Sequence, residues 1–163
     1  MAFWNKVKSK PTAITGAAAA IALALPLVGE FEGLRTVAYL DIVNVPTVCF
    51  GETKGVKLGD EYSVDQCNAM LAGRLVEFED KIKACVPSYA ALPARTQAAL
   101  ISLSYNIGSG GFCGSTLVKK LNAGDIEGAC NQFPRWNRAG GKVVRGLTIR
   151  RAKEQALCLE GIE

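Results

Sequence analysis

The chain has no histidine. That excludes Ser-His-Asp and Cys-His nucleophilic catalysis, and zinc sites that need an imidazole. Acid–base chemistry falls to Asp, Glu, Lys, Tyr or Cys. None of the six cysteines forms a Cys-x-x-Cys pair, which argues against a zinc ribbon or a thioredoxin-like motif. No acidic residue precedes Glu30, and none lies between Phe133 and Lys153. No internal repeat or low-complexity linker follows residue 30. Hydrophobic residues make up 49% and charged residues 21%, which excludes a mainly disordered chain. With 163 residues it is long enough to bury one real core, so size alone does not force disulfides on it.

The start of the chain is set apart. Lys6, Lys8 and Lys10 carry most of the net charge of +4, and the rest is close to neutral. The 19 residues between Lys10 and Glu30 are uncharged, near the lower limit for a bilayer-spanning helix. The basic flank favours a cytoplasmic N-terminus with the rest exported. Seven of the 19 are Ala, which gains far less in lipid than Leu or Ile, so insertion is marginal. A cleaved signal peptide with a small-residue site at Ala22-Leu23-Ala24, a permanent anchor and a buried Ala-rich core helix are three readings. A weak anchor that can leave the membrane suits the composition best.

All six cysteines follow this segment, and three disulfides in an oxidising compartment are the simplest account. Residues 36–62 read as short strands and turns: Val37-Ala38-Tyr39, Thr47-Val48-Cys49-Phe50 and Val56-Lys57-Leu58, broken by Asn44, Pro46, Gly51, Gly55 and Gly59. A helical turn from Phe31 to Arg35 precedes them. Ser63 and Gln66 form a capping box. A long helix follows, with Val64, Cys67, Leu71, Leu75, Phe78, Ile82 and Cys85 on one face, ending before Pro87. Further helices are expected over Pro93–Ile107, Thr116–Ala123 behind Ser115, Asp125–Gln132, and about Leu147–Leu159, with Ser109-Gly110-Gly111 a loop. The fold class is α+β: a small antiparallel sheet lobe at about 36–62, a long helix, and a helical lobe at about 85–163. Cys67 and Cys85 stand on one helix roughly 27 Å apart, beyond the roughly 7 Å a disulfide allows. Cys49 is the only cysteine in the sheet lobe, so Cys49–Cys67 is the leading pair. Among the remaining four, Cys85–Cys113 with Cys130–Cys158 is favoured.

The chemistry concentrates between Glu30 and Thr47. Two carboxylates across a cleft equip a protein for glycoside hydrolysis, one protonated to donate to the leaving oxygen and one ionised. Spacing alone is weak, because acidic pairs nine apart are common. The pattern Glu32, eight residues, Asp41, five residues, Thr47 resembles the catalytic signature of the phage-type lysozymes, the family of T-even phage lysozyme. Glu32-Gly33-Leu34-Arg35 and Ala38-Tyr39-x-Asp41 match its flanks. Tyr105-Asn106-Ile107-Gly108, Phe112-x-x-Ser115-Thr116-Leu117, Arg135-Trp136 and Gly146-Leu147-x-x-Arg150-Arg151-x-x-Glu154 follow in order. The resemblance spans about residues 30–160 and is nearest to endolysins with a signal-anchor-release segment. It implies a lysozyme-like fold, with residues 1–29 the anchor and 30–163 the catalytic domain. It implies that Glu32 is the general acid, Asp41 holds or activates water, and Thr47 positions that water. It implies that Tyr105 and Ser115 line the sugar cleft, and that Arg150 or Arg151 pairs with Glu32. Glu30, eleven from Asp41, misses the pattern.

The implied substrate is the β-1,4 bond between N-acetylmuramic acid and N-acetylglucosamine in peptidoglycan, with no cofactor and no metal. Relatives often read Thr-x-Gly-x-Gly-His after the catalytic threonine. Here Cys49 replaces the first glycine, and Glu52 replaces the histidine and is expected to be exposed. The basic tract of Arg135, Arg138, Lys142, Arg145, Arg150, Arg151 and Lys153 suits an anionic wall or lipid surface better than nucleic acid, with a solvated helix face as the plain alternative. Residues 11–29 are expected to tether a monomer to the host inner membrane, N-terminus cytoplasmic and body periplasmic, inactive until release to the periplasm. No cysteine lies in the segment, so disulfide exchange within it cannot be the trigger. A lytic transglycosylase and a non-catalytic wall-binding module are the competing classes.

Overall fold

A computed structural model describes residues 16–163. Lys6, Lys8, Lys10 and residues 11–15 of the expected anchor lie outside the described residues. Helix α1, Gly16–Glu32, takes up the rest of that segment. Its buried residues Ala20, Ala24 and Val28 recur every four, which aligns them in one stripe. This stripe packs chiefly on α3 (Ala94–Ile107) and also on α2 (Val64–Cys85). Gly29 comes so close to Phe50 that a Cβ there would stand 3.3 Å from the ring. No described helix is long and apolar enough to cross a membrane.

The expected separate turn from Phe31 to Arg35 does not form. Pro26 lies inside the helix without ending it, so α1 carries the described part of the anchor segment and Glu32 on one continuous helix. Gly33, at φ 74°, ends it in the left-handed conformation that only glycine adopts without cost. The chain then enters β1, Arg35–Leu40, which pairs antiparallel with β2, Pro46–Cys49. The register sets Tyr39 opposite Thr47 and Leu40 opposite Pro46, with an irregularity between Arg35 and Tyr39. Val56-Lys57-Leu58 is a turn, not a strand. Gly55 and Gly59 both take positive φ and leave too short an extended run, and Glu61 bridges to Val37 instead.

Helix α2 begins at the capping box, with Ser63 accepting from the Gln66 N–H and Gln66 accepting from the Ser63 N–H. Its buried stripe is Cys67, Leu71, Leu75 and Ile82, joined by Glu79. Phe78 tilts against the Tyr105 ring at 5.3 Å. Helix α3 is the hub of the fold: every residue from Thr96 to Ser104 is buried, between α1, α2 and α7 (Arg145–Glu160). The glycine-rich loop expected at Ser109 winds into the short helix α4, Ser109–Cys113, which buries Phe112. Helices α5, Thr116–Asn122, and α6, Ile126–Cys130, start at Ser115 and Asp125, whose side chains accept from the N–H groups of Val118 and Gly128. An unexpected small hairpin, β3 (Arg138–Ala139) with β4 (Lys142–Val143), turns through Gly140 and Gly141, both at positive φ. The cysteines bond as Cys49–Cys67, Cys85–Cys113 and Cys130–Cys158, with Cα separations of 5.0, 5.7 and 5.6 Å.

Candidate active site

Glu32 is the last residue of α1, where the helix stops and the sheet begins. Its carboxylate accepts from Arg150 Nη1 of α7 at 2.8 Å, a contact across 118 residues of sequence. The Glu32 side chain is 26% exposed while Arg150 is 4% exposed, so the guanidinium approaches from the core and leaves the acid facing outward. The Phe31 ring lies under Arg150 at 5.2 Å and Lys153 at 5.6 Å, distances suited to cation–π attraction. Lys153 also pairs with Glu30. The end of α1 is thus held on α7 by three consecutive residues.

Asp41 stands just after β1. Its Oδ1 accepts from the backbone N–H groups of Val43 and Val45, both at 2.9 Å. This is how a short carboxylate organises a tight turn. Oδ2 takes no hydrogen bond from the described residues. Thr47, on β2 and 4% exposed, donates its hydroxyl to the Val45 carbonyl at 2.9 Å. Val45 therefore links the two: its N–H serves Asp41 and its C=O serves Thr47.

Tyr105 projects from α3 toward this region and reaches the Phe50 carbonyl at 3.4 Å. Burial pushes its phenol up from the ordinary range, and the Glu32 charge pushes in the same direction. Ser115 is committed to capping α5, and it lines a separate pocket with Gly111, Gly114, Thr116, Arg135 and Trp136. No hydrogen bond or ion pair among the described residues joins Ser115 to Glu32. Arg151 makes no hydrogen bond or ion pair with Glu32 among the described residues and pairs with Glu154.

Glu52 differs from expectation. It is half-buried, 3.6 Å from Arg74 of α2, and its Oε1 accepts from the N–H groups of Thr53 and Lys54. The basic tract splits in two. Arg150 and Arg151 are buried in ion pairs, and Arg135, Arg138, Lys142 and Arg145 stay exposed. Sequence reasoning gave no role to Ser102 or Glu154, which complete the ion network behind Glu32. Ser102 donates to Glu154 at 2.6 Å, and Glu154 accepts from Arg150 at 3.1 Å. The i, i+3 and i, i+4 spacing of Glu154 from the two arginines is a readable pairing signal, but the burial that gives it weight is tertiary.

The phage lysozyme family model matches residues 29–154. The chain is 42% identical over 160 residues to a SAR-endolysin of Enterobacteria phage P21, covering 94% of this chain and 95% of that one. It superposes on the active form of the P1 phage endolysin Lyz with a TM-score of 0.76 and 26% identity, covering 93% of this chain and 96% of that one. It superposes on the muramidase domain of SpmX from Asticaccaulis excentricus with a TM-score of 0.75 and 26% identity, covering 83% and 94%.

Proposed function

The chain belongs to the phage lysozyme family, and on that premise we propose that Glu32 is the general acid, with Asp41 and Thr47 handling the attacking water. The protein is a glycoside hydrolase, a muramidase endolysin. Its substrate is peptidoglycan, cut at the β-1,4 bond between N-acetylmuramic acid and N-acetylglucosamine.

The observation that carries the assignment is the Arg150–Glu32 contact. Arg150 occupies Oε1, which leaves Oε2 free to carry the proton to the glycosidic oxygen. Asp41 is fixed through Oδ1, which leaves Oδ2 to orient water or to offset positive charge on the sugar. The Thr47 hydroxyl spends its only proton on Val45, so toward a water it can act only as an acceptor. Acid and water-holding groups thus sit on different elements, which lets their surroundings set opposite protonation states. Tyr105 and Ser115 serve the sugar chain, Tyr105 beside Glu32 and Ser115 at the pocket with Trp136.

Residues 1–29 serve as a signal-anchor-release segment and 30–163 as the catalytic domain. Residues 11–29 hold the newly exported protein on the host inner membrane, with the N-terminus cytoplasmic and the body periplasmic, until release. The SAR-endolysin names of the relatives support this reading. So does the docking of α1 through Ala20, Ala24 and Val28, a packing that a helix in lipid cannot make. Because Glu32 ends α1, the same docking delivers the acid to Arg150.

The deciding experiment is lysis of outer-membrane-permeabilised cells by wild type, Glu32→Gln and Glu30→Gln. Glu32→Gln is expected to lose nearly all activity. Glu30→Gln is expected to keep most, since it forfeits one exposed ion pair worth at most about 1 kcal/mol. Equal loss in both removes the assignment of the acid. Hydrolytic rather than 1,6-anhydro ends in the products separate a muramidase from a lytic transglycosylase. A mature protein lacking residues 1–24 would show a cleaved signal and overturn the release reading.

A further inference from the structure

The group least accounted for by this mechanism is Glu154. It is a carboxylate with 0% exposure on α7, one helical turn beyond Arg150. Its Oε1 accepts from Ser102 Oγ at 2.6 Å, Arg150 Nε at 3.1 Å and Arg151 Nη2 at 3.0 Å. Its Oε2 stands 2.8 Å from Arg151 Nε, off the line of a hydrogen bond, so that contact is ionic. Burying a carboxylate is expensive unless it is paired and hydrogen-bonded. A fold in need of stability alone could fill this space with apolar side chains.

What the arrangement does is fix Arg150. The guanidinium is held on three sides: Nε by Glu154, Nη2 by the Ser102 carbonyl at 3.4 Å, and Nη1 by Glu32 at 2.8 Å. Two of those contacts come from the core and orient the third. Charge matters as well. Two guanidiniums face two carboxylates, Glu154 and Glu32. When Glu32 takes up its proton the cluster gains one positive charge. Without Glu154 it would gain that charge on top of another already unbalanced. An unbalanced guanidinium 2.8 Å away opposes protonation of a carboxylate.

We propose that Glu154 is a positioning residue for hydrolysis: it aims Arg150 at Glu32 and shares its charge, so that Glu32 can hold a proton while remaining anchored. This rests on Glu32 being the acid. The other charged and titratable groups near Glu32 are Tyr105 of α3 with Glu52 and Arg74 beyond it, Arg151 of α7, and the Glu30–Lys153 pair. None of them contacts Arg150 Nε. Burial pushes the Glu154 carboxyl up, and Arg151, Ser102 and Arg150 pull against it.

The test uses the full released enzyme on purified peptidoglycan, with kcat, KM, pH profile and melting temperature measured for wild type, Glu154→Gln, Glu154→Asp and Ser102→Ala. Glu154→Gln keeps the shape and loses the charge. It is expected to lower kcat about tenfold to a hundredfold with KM within about twofold, the scale of a misplaced catalytic group. The falling alkaline limb is expected to move down by about one pH unit or more. Glu154→Asp, which keeps the charge, is expected to hold that limb near the wild-type position. A folded Glu154→Gln with wild-type kcat or an unmoved limb overturns the proposal. Should Glu154→Gln fail to fold, Ser102→Ala decides. It is expected to lower kcat at constant KM, and wild-type kcat there overturns the proposal. Activity surviving in Glu32→Gln, where Glu154 is intact, would instead refute the underlying acid assignment.

Discussion

Cys49 holds a left-handed backbone, φ 57°, and is bonded to Cys67 near the start of α2 with 5.0 Å between their Cα atoms. A residue with a Cβ pays about 1–2 kcal/mol in that conformation, and glycine pays essentially nothing. The resemblance implies a glycine here, and the positive φ that the backbone takes two residues after Thr47 is the conformation glycine suits. In this chain a cysteine fills the position, and the cross-link ties it to α2. The double variants Cys49→Ala/Cys67→Ala and Cys49→Gly/Cys67→Ala both lose a cross-link spanning 18 residues, about 3 kcal/mol of stability. The glycine version is expected to be the more stable by about 1 kcal/mol, because only it meets the φ requirement freely. It should also retain more kcat, since Thr47 keeps its place. Denaturant midpoints and lysis rates of the two, side by side, check this. Equal stability would mean that the left-handed angle exerts no strain.

A second prediction concerns alkaline stability. Tyr89 is 1% exposed, and its hydroxyl and Glu79 Oε1 are both buried without a hydrogen-bond partner among the described residues. Burial first, and then the Glu79 charge, push the phenol above its ordinary value of 10.0. The unfolded chain therefore releases this proton at lower pH than the folded one. The stabilisation is complete below about pH 10 and declines above it, by about 1 kcal/mol per pH unit. Tyr89→Phe, which cannot ionise, is expected to flatten that alkaline decline while leaving stability at pH 7 within about 1 kcal/mol. Urea midpoints at pH 7 and pH 11 measure both. A decline as steep in Tyr89→Phe as in wild type assigns the effect to other groups.

The alanines that weaken α1 as a membrane span also make it able to dock. Ala20 and Ala24 have 0% exposure and admit α1 close to its neighbours in the core. Ala24→Leu is expected to add apolar grip in the bilayer and to overpack this face, lowering stability by about 1–3 kcal/mol. Two readings follow: a lower melting temperature of released protein, and a smaller fraction leaving the membrane. An unchanged melting temperature would show that the face accommodates a larger side chain, and the proposed coupling of docking to release would lose its support.

What the sequence made legible was whatever repeats or caps locally. The Ser63–Gln66 box located α2; the three-and-four spacing located the buried Cys67, Leu71, Leu75 and Ile82 but missed Glu79 and included Val64, which is 50% exposed; and the motif from Glu32 to Thr47 pointed to the candidate site. Glycine punctuation was ambiguous: Ser109-Gly110-Gly111 read as a loop, yet burial of Phe112 winds it into a turn of helix. The hairpin at Gly140-Gly141 went unread because two-residue strands carry no periodicity. Buried charge was the least legible. The resemblance named Arg150 or Arg151 as the Glu32 partner and the spacing of Glu154 from both arginines signals pairing, but Ser102–Glu154 and Arg150–Glu32 span 52 and 118 residues, so no local pattern shows that these groups are buried together.

The last prediction separates the two oxygens of Asp41. Oδ1 shapes the hairpin by accepting from Val43 and Val45, and Oδ2 is the one left for chemistry. Asp41→Asn preserves an acceptor oxygen for the turn and removes the charge. It is expected to fold with a wild-type melting temperature and to lose about a hundredfold or more in kcat, the scale of a lost acid–base group. Asp41→Ala removes the turn acceptor as well, leaving two N–H groups to solvent and lowering stability by about 1 kcal/mol or more. Its kcat should fall below that of the asparagine variant, because a loosened Val45 no longer fixes Thr47. Melting curves and turbidity clearance on the same preparations distinguish the two effects. Near-wild-type kcat in Asp41→Asn would show that the carboxylate serves only the turn, and the water-holding role would then rest with Thr47 alone.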